Sequence, residues 1–147
     1  MEWNNKYIYP KSTRSIVDGS RHYSVNEERL PSVTTILKAT ESEEKKASLQ
    51  AWKQRVGHKQ AAIITQEASS RGSSMHEYLE KFLLGKLNLD LLGDNTRERM
   101  MADQIIEKGL TNMLDDIGGC EATLYYPGKY AGAADCVGVY ENKETII

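Results

Sequence analysis

Cysteine, proline and long apolar runs are all scarce in this sequence of 147 residues. Its two cysteines are too few for a disulfide scaffold or for a cluster held by four thiolates. No apolar stretch has the length that a membrane-spanning helix requires, and the polar N-terminus lacks the apolar segment of a signal peptide. We therefore expect an intracellular protein with reduced thiols and no membrane partner.

An excess of positive charge is also missing, because 19 Lys and Arg stand against 21 Asp and Glu. The formal net charge of −2 argues against a protein held on nucleic acid by bulk positive charge alone, although a local basic groove remains open. The hydrophobic content of 39% is that of a globular chain. The length predicts a single domain, over residues 1–147, with one modest core.

Short strands around loops are expected in the N-terminal part, residues 1–30. The pair Asp18-Gly19 predicts the turn of a hairpin over residues 6–25. Pro31 and Ser32 then predict the start of a first helix. Three apolar residues of that helix are expected to face inward: Val33, Ile36 and Leu37.

Helices are expected over residues 31–117. Thr40 with Glu43, and Asn95 with Glu98, have capping-box spacing, which predicts two further helix starts. One amphipathic face consists of residues spaced three and four apart: Leu49, Trp52 and Val56.

Small residues predict where these helices end. Gly57 predicts an interruption, and the serine-rich residues 69–74 predict a break or a strained junction. A helix with an apolar stripe follows and ends at Gly85; the stripe contains Met75, Leu79, Phe82 and Leu83. Residues 86–93 are expected to form a loop. The strongest apolar periodicity then predicts a last helix through Ile117, which Gly118-Gly119 would stop; its apolar face contains Ala102, Ile105, Ile106, Gly109, Leu110, Met113 and Ile117.

The C-terminal part, residues 119–147, predicts strands. Pro127-Gly128 joins two of them, and Thr145–Ile147 begins a third after a turn at residues 141–143. A three-residue loop centred on Gly128 would place Glu121 opposite Asp135. The same register places Cys120 opposite Cys136.

Alternation along the second of these strands places Asp135 in a row of apolar residues with Ala131, Ala133, Val137 and Val139. An ionised carboxylate there is costly unless a cation or hydrogen-bond donors meet it. Two acids that face each other are tolerated when a metal lies between them or one carries a proton. There is a simpler explanation for an acid in this row: Asp135 accepts a hydrogen bond from a neighbouring backbone donor, or that face of the strand is solvated. His76 and Glu80 lie one helical turn apart, at a spacing that can serve one site.

Four segments together resemble the RecB-like branch of the PD-(D/E)XK nuclease superfamily, and are most similar to exonucleases of phages and of mitochondrial genome maintenance. These segments are residues 31–34, 49–55, 71–80 and 131–135. The resemblance implies an α+β fold, in which an N-terminal hairpin and helices precede a mixed, restriction-endonuclease-like sheet. It also implies a metal-dependent exonuclease in DNA replication or repair, which cuts single-stranded DNA or DNA ends.

By the same resemblance, His76 and Asp135 are expected to bind Mg²⁺ or Mn²⁺, and Glu121 matches a looser catalytic glutamate. Because an imidazole nitrogen is a softer ligand than a carboxylate oxygen, His76 would favour Mn²⁺ over Mg²⁺. Four residues are candidates for contacts with DNA: Ser32, Thr34, Arg71 and Trp52. For Ser32 and Thr34 the alternative is helix capping, and for Trp52 a place in the core.

The family's acid-x-Lys motif is expected on the next strand, so we expect this chain to be a fragment that ends before it. Glu141-Asn142-Lys143 matches the pattern but lies in a turn, and we regard the match as coincidental. Three alternatives remain open: a catalytically inactive relative that binds nucleic acid or a partner, a CRISPR-associated nuclease with an iron–sulfur cluster, and an unrelated α+β domain in which Asp135 is structural. The low cysteine content argues against the second.

Overall fold

The computed structural model of the protein describes residues 1–86 and 96–147, and within them the architecture is α+β, as the sequence predicts. The strands are β1 (Glu2–Trp3), β2 (Ser12–Val17), β3 (Ser20–Val25), β4 (Glu28–Pro31), β5 (Leu114–Tyr126), β6 (Tyr130–Tyr140) and β7 (Lys143–Ile146). The helices are α1 (Val33–Ala39), α2 (Glu43–Val56), α3 (His58–Leu83) and α4 (Arg97–Ile105), and α4 continues into a π-helical turn (Ile106–Leu110). None of these helices is both long and apolar enough to cross a bilayer.

The strands form two sheets. One has the order β1-β5-β6-β7, in which β1 is parallel to β5 and the other pairs are antiparallel. The other is an antiparallel sheet of β2, β3 and β4. A parallel bridge between Ser32, the residue after β4, and Ala131 connects the chain leaving the N-terminal sheet to β6.

The predicted N-terminal hairpin is confirmed, although its first strand begins at Ser12 rather than at residue 6. Asp18 and Gly19 form its turn with φ values of 51° and 76°. Positive φ at both central residues matches the right-handed twist of the flanking strands. Residues 26–27 make a second turn of this kind before β4.

Two of the predicted helix starts are displaced by one or two residues. The N-cap of α2 is Ser42, whose hydroxyl accepts a hydrogen bond from the Lys45 N–H, whereas Thr40 ends α1. Thr96 caps α4 in the same way. Asn95, the predicted cap, lies outside the described residues, as do residues 87–93 of the predicted loop.

The break predicted at residues 69–74 is wrong, because α3 runs without interruption over 26 residues. Serine costs a helix only about 0.5 kcal/mol relative to alanine. The serines of this segment are exposed, so water solvates their hydroxyls. The interruption predicted at Gly57 is confirmed, since its φ of 89° separates α2 from α3.

The last predicted helix is wrong over its final third. The helical backbone ends with the π-helical turn, Asn112 takes a φ of 74°, and β5 begins at Leu114. Ile117, assigned to the helix, is buried in β5 and lies opposite Trp3 of β1. The apolar spacing suits a helix, but the distant strand β1 supplies partners that sequence spacing cannot reveal.

The core consists of two clusters of buried residues. The first contains Leu83, Leu110, Leu114, Ile117 and Cys136, and the second contains Tyr23, Val25, Leu30 and Ala131. Leu79 and Phe82 pack against the first cluster, which confirms the predicted stripe on α3. The inward faces predicted for α1 and α2 are wrong in part: neither helix contains a buried residue, and Leu37 is 63% exposed.

The predicted β5–β6 register is confirmed. Cys120 pairs with Cys136 and Ala122 pairs with Ala134, which places Glu121 across from Asp135. Both cysteines are free thiols, as predicted.

Candidate metal-binding site

His76 on α3 and Asp135 on β6 lie together, although 59 residues separate them in the sequence. The His76 Nδ1 is 3.1 Å from the Asp135 Oδ1, within hydrogen-bonding distance. The side chains are 50% and 59% exposed. The fold therefore brings the two residues with the best match to the nuclease pattern to one solvent-accessible place.

The packing of α3 explains this meeting. Leu79 and Leu83 hold one face of the helix against the first core cluster, which includes Cys136 of β6. His76 lies one turn before that contact, because helical residues three and four apart share a face. The imidazole consequently reaches the middle of β6 at the edge of the core rather than inside it.

A small cavity of about 200 Å³ surrounds the pair. Two further carboxylates, those of Glu80 and Glu121, line it together with His76 and Asp135. The apolar part of the lining consists of Met75, Leu79, Leu83, Ile105, Leu110 and Ile147. Glu80 was not among the predicted metal ligands, although its spacing of one turn from His76 was the available signal.

Glu121 is held in an environment that disfavours its charge. Partial desolvation, and then the charges of Asp135 and Glu80, raise the pKa of Glu121 above its usual value, and His76 opposes the shift. Glu121 also has a φ of 50°, a departure from the extended backbone of a strand. The cavity thus gathers negative charge that one imidazole only partly offsets.

The environment of the two cysteines nearby disfavours the thiolate. Desolvation, followed by the charge of Glu80, raises the pKa of Cys120 to about 11. Desolvation and Asp135 likewise raise the pKa of Cys136. A raised pKa makes a thiol a weaker nucleophile near neutral pH.

Of the explanations for Asp135, the structure favours the solvated strand face. Asp135 and its row neighbour Ala133 are exposed, although Ala131 of the same row is buried. The cost of burying a charge therefore does not apply to Asp135. Repulsion between Asp135 and the facing Glu121 still applies.

The residue types are those that could hold a cation together. A carboxylate oxygen suits Mg²⁺ and Mn²⁺, whereas an imidazole nitrogen suits softer transition metals. The His76 Nδ1 and the Asp135 Oδ1 are hydrogen-bonded to each other at 3.1 Å, and an ion held by both would take the place of that bond. Among the described residues, no three His, Cys, Asp or Glu side chains are already arranged as a metal shell. A bound ion would therefore draw further ligands from the two glutamates or from water.

The four predicted DNA contacts lie outside this cavity. Ser32 is 2% exposed, and its hydroxyl accepts a hydrogen bond from the Thr35 N–H as the N-cap of α1. Its side chain therefore has almost no surface to offer a phosphate. Thr34 is exposed beside a different cavity, and Arg71 and Trp52 are partly buried on α3 and α2.

Replacing Glu121 by glutamine is expected to stabilise the fold at neutral pH, and only there. A raised pKa means that the folded state binds the proton more tightly than the unfolded state, so the stabilising effect of that proton is lost as pH rises through the folded pKa. We expect a gain of about 0.5 kcal/mol at most near pH 7, because exposed charges are screened by water. Below the usual glutamate pKa the variant and the wild type should become equal. Urea unfolding of the variant and the wild type, at pH 7 and at a pH below the usual glutamate pKa, measures the difference in their free energies of unfolding. Glu67→Gln, an exposed acid on α3, is the control, and a gain that persists at low pH would contradict the repulsion.

The His76–Asp135 contact is the part of the sequence pattern that the fold brings together. No protein-family model matches the chain, and no curated protein matches it in sequence.

Proposed function

We propose that this chain carries the metal-binding part of the active site of a DNA exonuclease of the RecB-like type. The observation that supports this most strongly is the 3.1 Å contact between His76 and Asp135. A helix histidine and a strand aspartate are the two residue types that this family's pattern requires, and they meet at an open cavity. Glu121 and Glu80 line the same cavity.

In this proposal, His76 and Asp135 would hold the cation, and Glu121 or Glu80 would supply a further oxygen ligand. A bound Mg²⁺ or Mn²⁺ supplies a water that is nucleophilic at neutral pH and stabilises negative charge on the phosphate. The imidazole ligand makes Mn²⁺ the ion that we expect to support activity more readily.

The electrostatics of the cavity support a requirement for metal. Three carboxylates around one imidazole repel a phosphodiester, which carries negative charge at every linkage. DNA can approach only when that charge is neutralised. Desolvation, and then the charges of Asp135 and Glu80, raise the pKa of Glu121, and a cation would offset the part that comes from the charges.

The register of β7 predicts where the acid-x-Lys motif of the family would lie. Ile147 and Cys136 exchange backbone hydrogen bonds of 2.8 and 3.0 Å. In a chain that continued β7 in this register, the position after Ile147 would lie opposite Asp135. The position two residues further on would share that face. We therefore expect an Asp or Glu at the first of these positions and a Lys at the second.

Sequencing the coding region downstream of Ile147 checks this expectation. Apolar residues at both positions would contradict a nuclease and favour the catalytically inactive relative. If the acid and the lysine are present, the complete protein is assayed on an end-labelled single-stranded oligonucleotide. We expect digestion with Mg²⁺ or Mn²⁺ and none with EDTA; digestion that persists in EDTA would contradict the proposal.

A further inference from the structure

A second, larger cavity of about 500 Å³ lies between the tip of the β5–β6 hairpin, α1 and β3; we call it the tyrosine groove. Four tyrosines line it: Tyr23, Tyr125, Tyr126 and Tyr130. Tyr126 and Tyr130 are the last paired residues before the hairpin turn, and their rings are stacked with centroids 5.9 Å apart. They are 56% and 42% exposed. A stacked pair of aromatic rings is thus presented to solvent.

The other two tyrosines have structural roles, which sets the exposed pair apart. Tyr23 is buried in the second core cluster, and the Tyr125 hydroxyl accepts a hydrogen bond of 2.7 Å from the Asn26 side chain. The exposed pair belongs to neither core cluster. Each of the two rings has one face turned away from the other. An aromatic face in solvent is a platform on which any nucleobase can stack.

The charge of the tyrosine groove suits a phosphate backbone. Arg21 lines it and makes no ion pair in the described part of the chain, and no acid of that part lines the groove. The Arg21 backbone is held in place, because its carbonyl accepts hydrogen bonds from the Ser32 N–H and the Thr35 hydroxyl. Lys129 lies in the turn between the two exposed tyrosines. Basic residues beside aromatic platforms are the usual composition of sites for single-stranded nucleic acid.

The tyrosine groove and the candidate metal site are separate places on the sheet. Ala134 of β6 and Ile146 of β7 line the groove, whereas the next residue of each strand, Asp135 and Ile147, lines the cavity around His76. Because side chains alternate along a strand, Tyr130 and Asp135, five positions apart, point to opposite faces of the sheet. The groove therefore has to be tested as a binding site in its own right.

We propose that the tyrosine groove binds unpaired bases of single-stranded DNA through stacking on Tyr126 and Tyr130. This inference stands on the geometry of the groove and does not rest on the proposed nuclease function. Duplex DNA does not fit, since its bases are already stacked on one another. A proline-rich peptide could use the same tyrosines but has no need of Arg21.

Fluorescence anisotropy with a labelled oligothymidylate in EDTA tests the binding without cleavage. The double variant Tyr126→Ala/Tyr130→Ala is expected to lose affinity by about tenfold for each tyrosine, and the double phenylalanine variant should retain it. Tyr7→Ala, which removes a comparably exposed tyrosine elsewhere, should bind as the wild type does. Arg21→Gln should reduce the slope of log affinity against log salt by about 0.7 for one lost phosphate contact.

Three results would overturn the inference. The double alanine variant could keep both its affinity and its melting midpoint, or the wild type could bind duplex DNA as tightly as the oligothymidylate. The third is a polyproline peptide that binds the tyrosines and that the oligonucleotide does not displace. The failure of the nuclease proposal looks different. In that case the oligonucleotide still binds through the tyrosines, but the complete protein cleaves nothing with any divalent metal.

Discussion

Under the proposed function, replacing Asp135 by alanine should reduce metal-dependent DNA cleavage about a thousandfold or more in a protein that joins this chain to an acid-x-Lys motif. The change removes one of two proposed direct ligands, and metal-ion catalysis contributes several kcal/mol, at 1.36 kcal/mol for each factor of ten in rate. The fold should survive, because the Asp135 side chain is 59% exposed and contributes little to the core. Asp135→Asn should lose activity too, since an amide oxygen is a weaker ligand than a carboxylate.

The measurement is the initial rate of nucleotide release with Mg²⁺ and with Mn²⁺, beside the thermal midpoint of each variant. His58→Ala is the matched control for His76→Ala, because both are exposed histidines on α3 and His58 is not among the residues that line the cavity. Glu67→Ala, which removes an exposed acid of α3 outside the cavity, is the matched control for Asp135→Ala. Near wild-type rates in folded Asp135→Ala protein would contradict the assignment of this residue.

Replacing Gly138 by alanine is expected to have the largest effect on stability among simple changes in the sheet. A Cβ at this position would lie 2.2 Å from the Asp116 backbone oxygen of β5. Backbone cannot rotate away as a side chain can, so β5 and β6 must separate locally. We expect the free energy of unfolding to fall by about 3 kcal/mol, the upper end of the usual cost of overpacking.

Gly132→Ala on the same strand is the matched control. Its Cβ would meet Val33 Cγ2 at 3.4 Å, an ordinary van der Waals contact. The lower entropy of the unfolded chain favours such a change by about 0.4–1 kcal/mol. Urea unfolding of the two variants should therefore give shifts of opposite sign or at least of very different size. Equal stabilities would mean that β5 and β6 are not packed as closely as the structure has them.

Local signals were enough to predict the elements whose register depends on nearby residues. The turn at residues 127–129 set the β5–β6 register, and Asp18-Gly19 set the N-terminal hairpin. The errors arose where distant partners decide. The segment after Leu110 has apolar residues at helical spacing, but it forms β5 and pairs with β1 and β6 in the sheet. Helical spacing predicts that Leu37 faces inward, but in the described part of the chain no neighbouring element covers its side chain.

The candidate site was predictable only in part for a similar reason. The hairpin turn allowed Glu121 and Asp135 to be placed opposite each other, but only the family resemblance joined His76 to them across 59 residues. The exposed tyrosines were missed because aromatic residues in strands usually indicate a half-buried sheet. Two aromatic residues that flank a turn directly were the available signal, and their exposure became visible only in three dimensions.

The central claim is that His76 and Asp135 share one divalent cation, and paramagnetic Mn²⁺ tests it in this chain without any need for activity. In a titration followed by nuclear magnetic resonance, weak binding is expected. The amide signals that broaden first should be those around His76 and Asp135, at Mn²⁺ concentrations that leave other acidic patches unaffected. The broadening should disappear in His76→Ala and in Asp135→Ala but persist in His58→Ala. Broadening that is scattered over the surface, or unchanged in the Asp135 variant, would contradict the account.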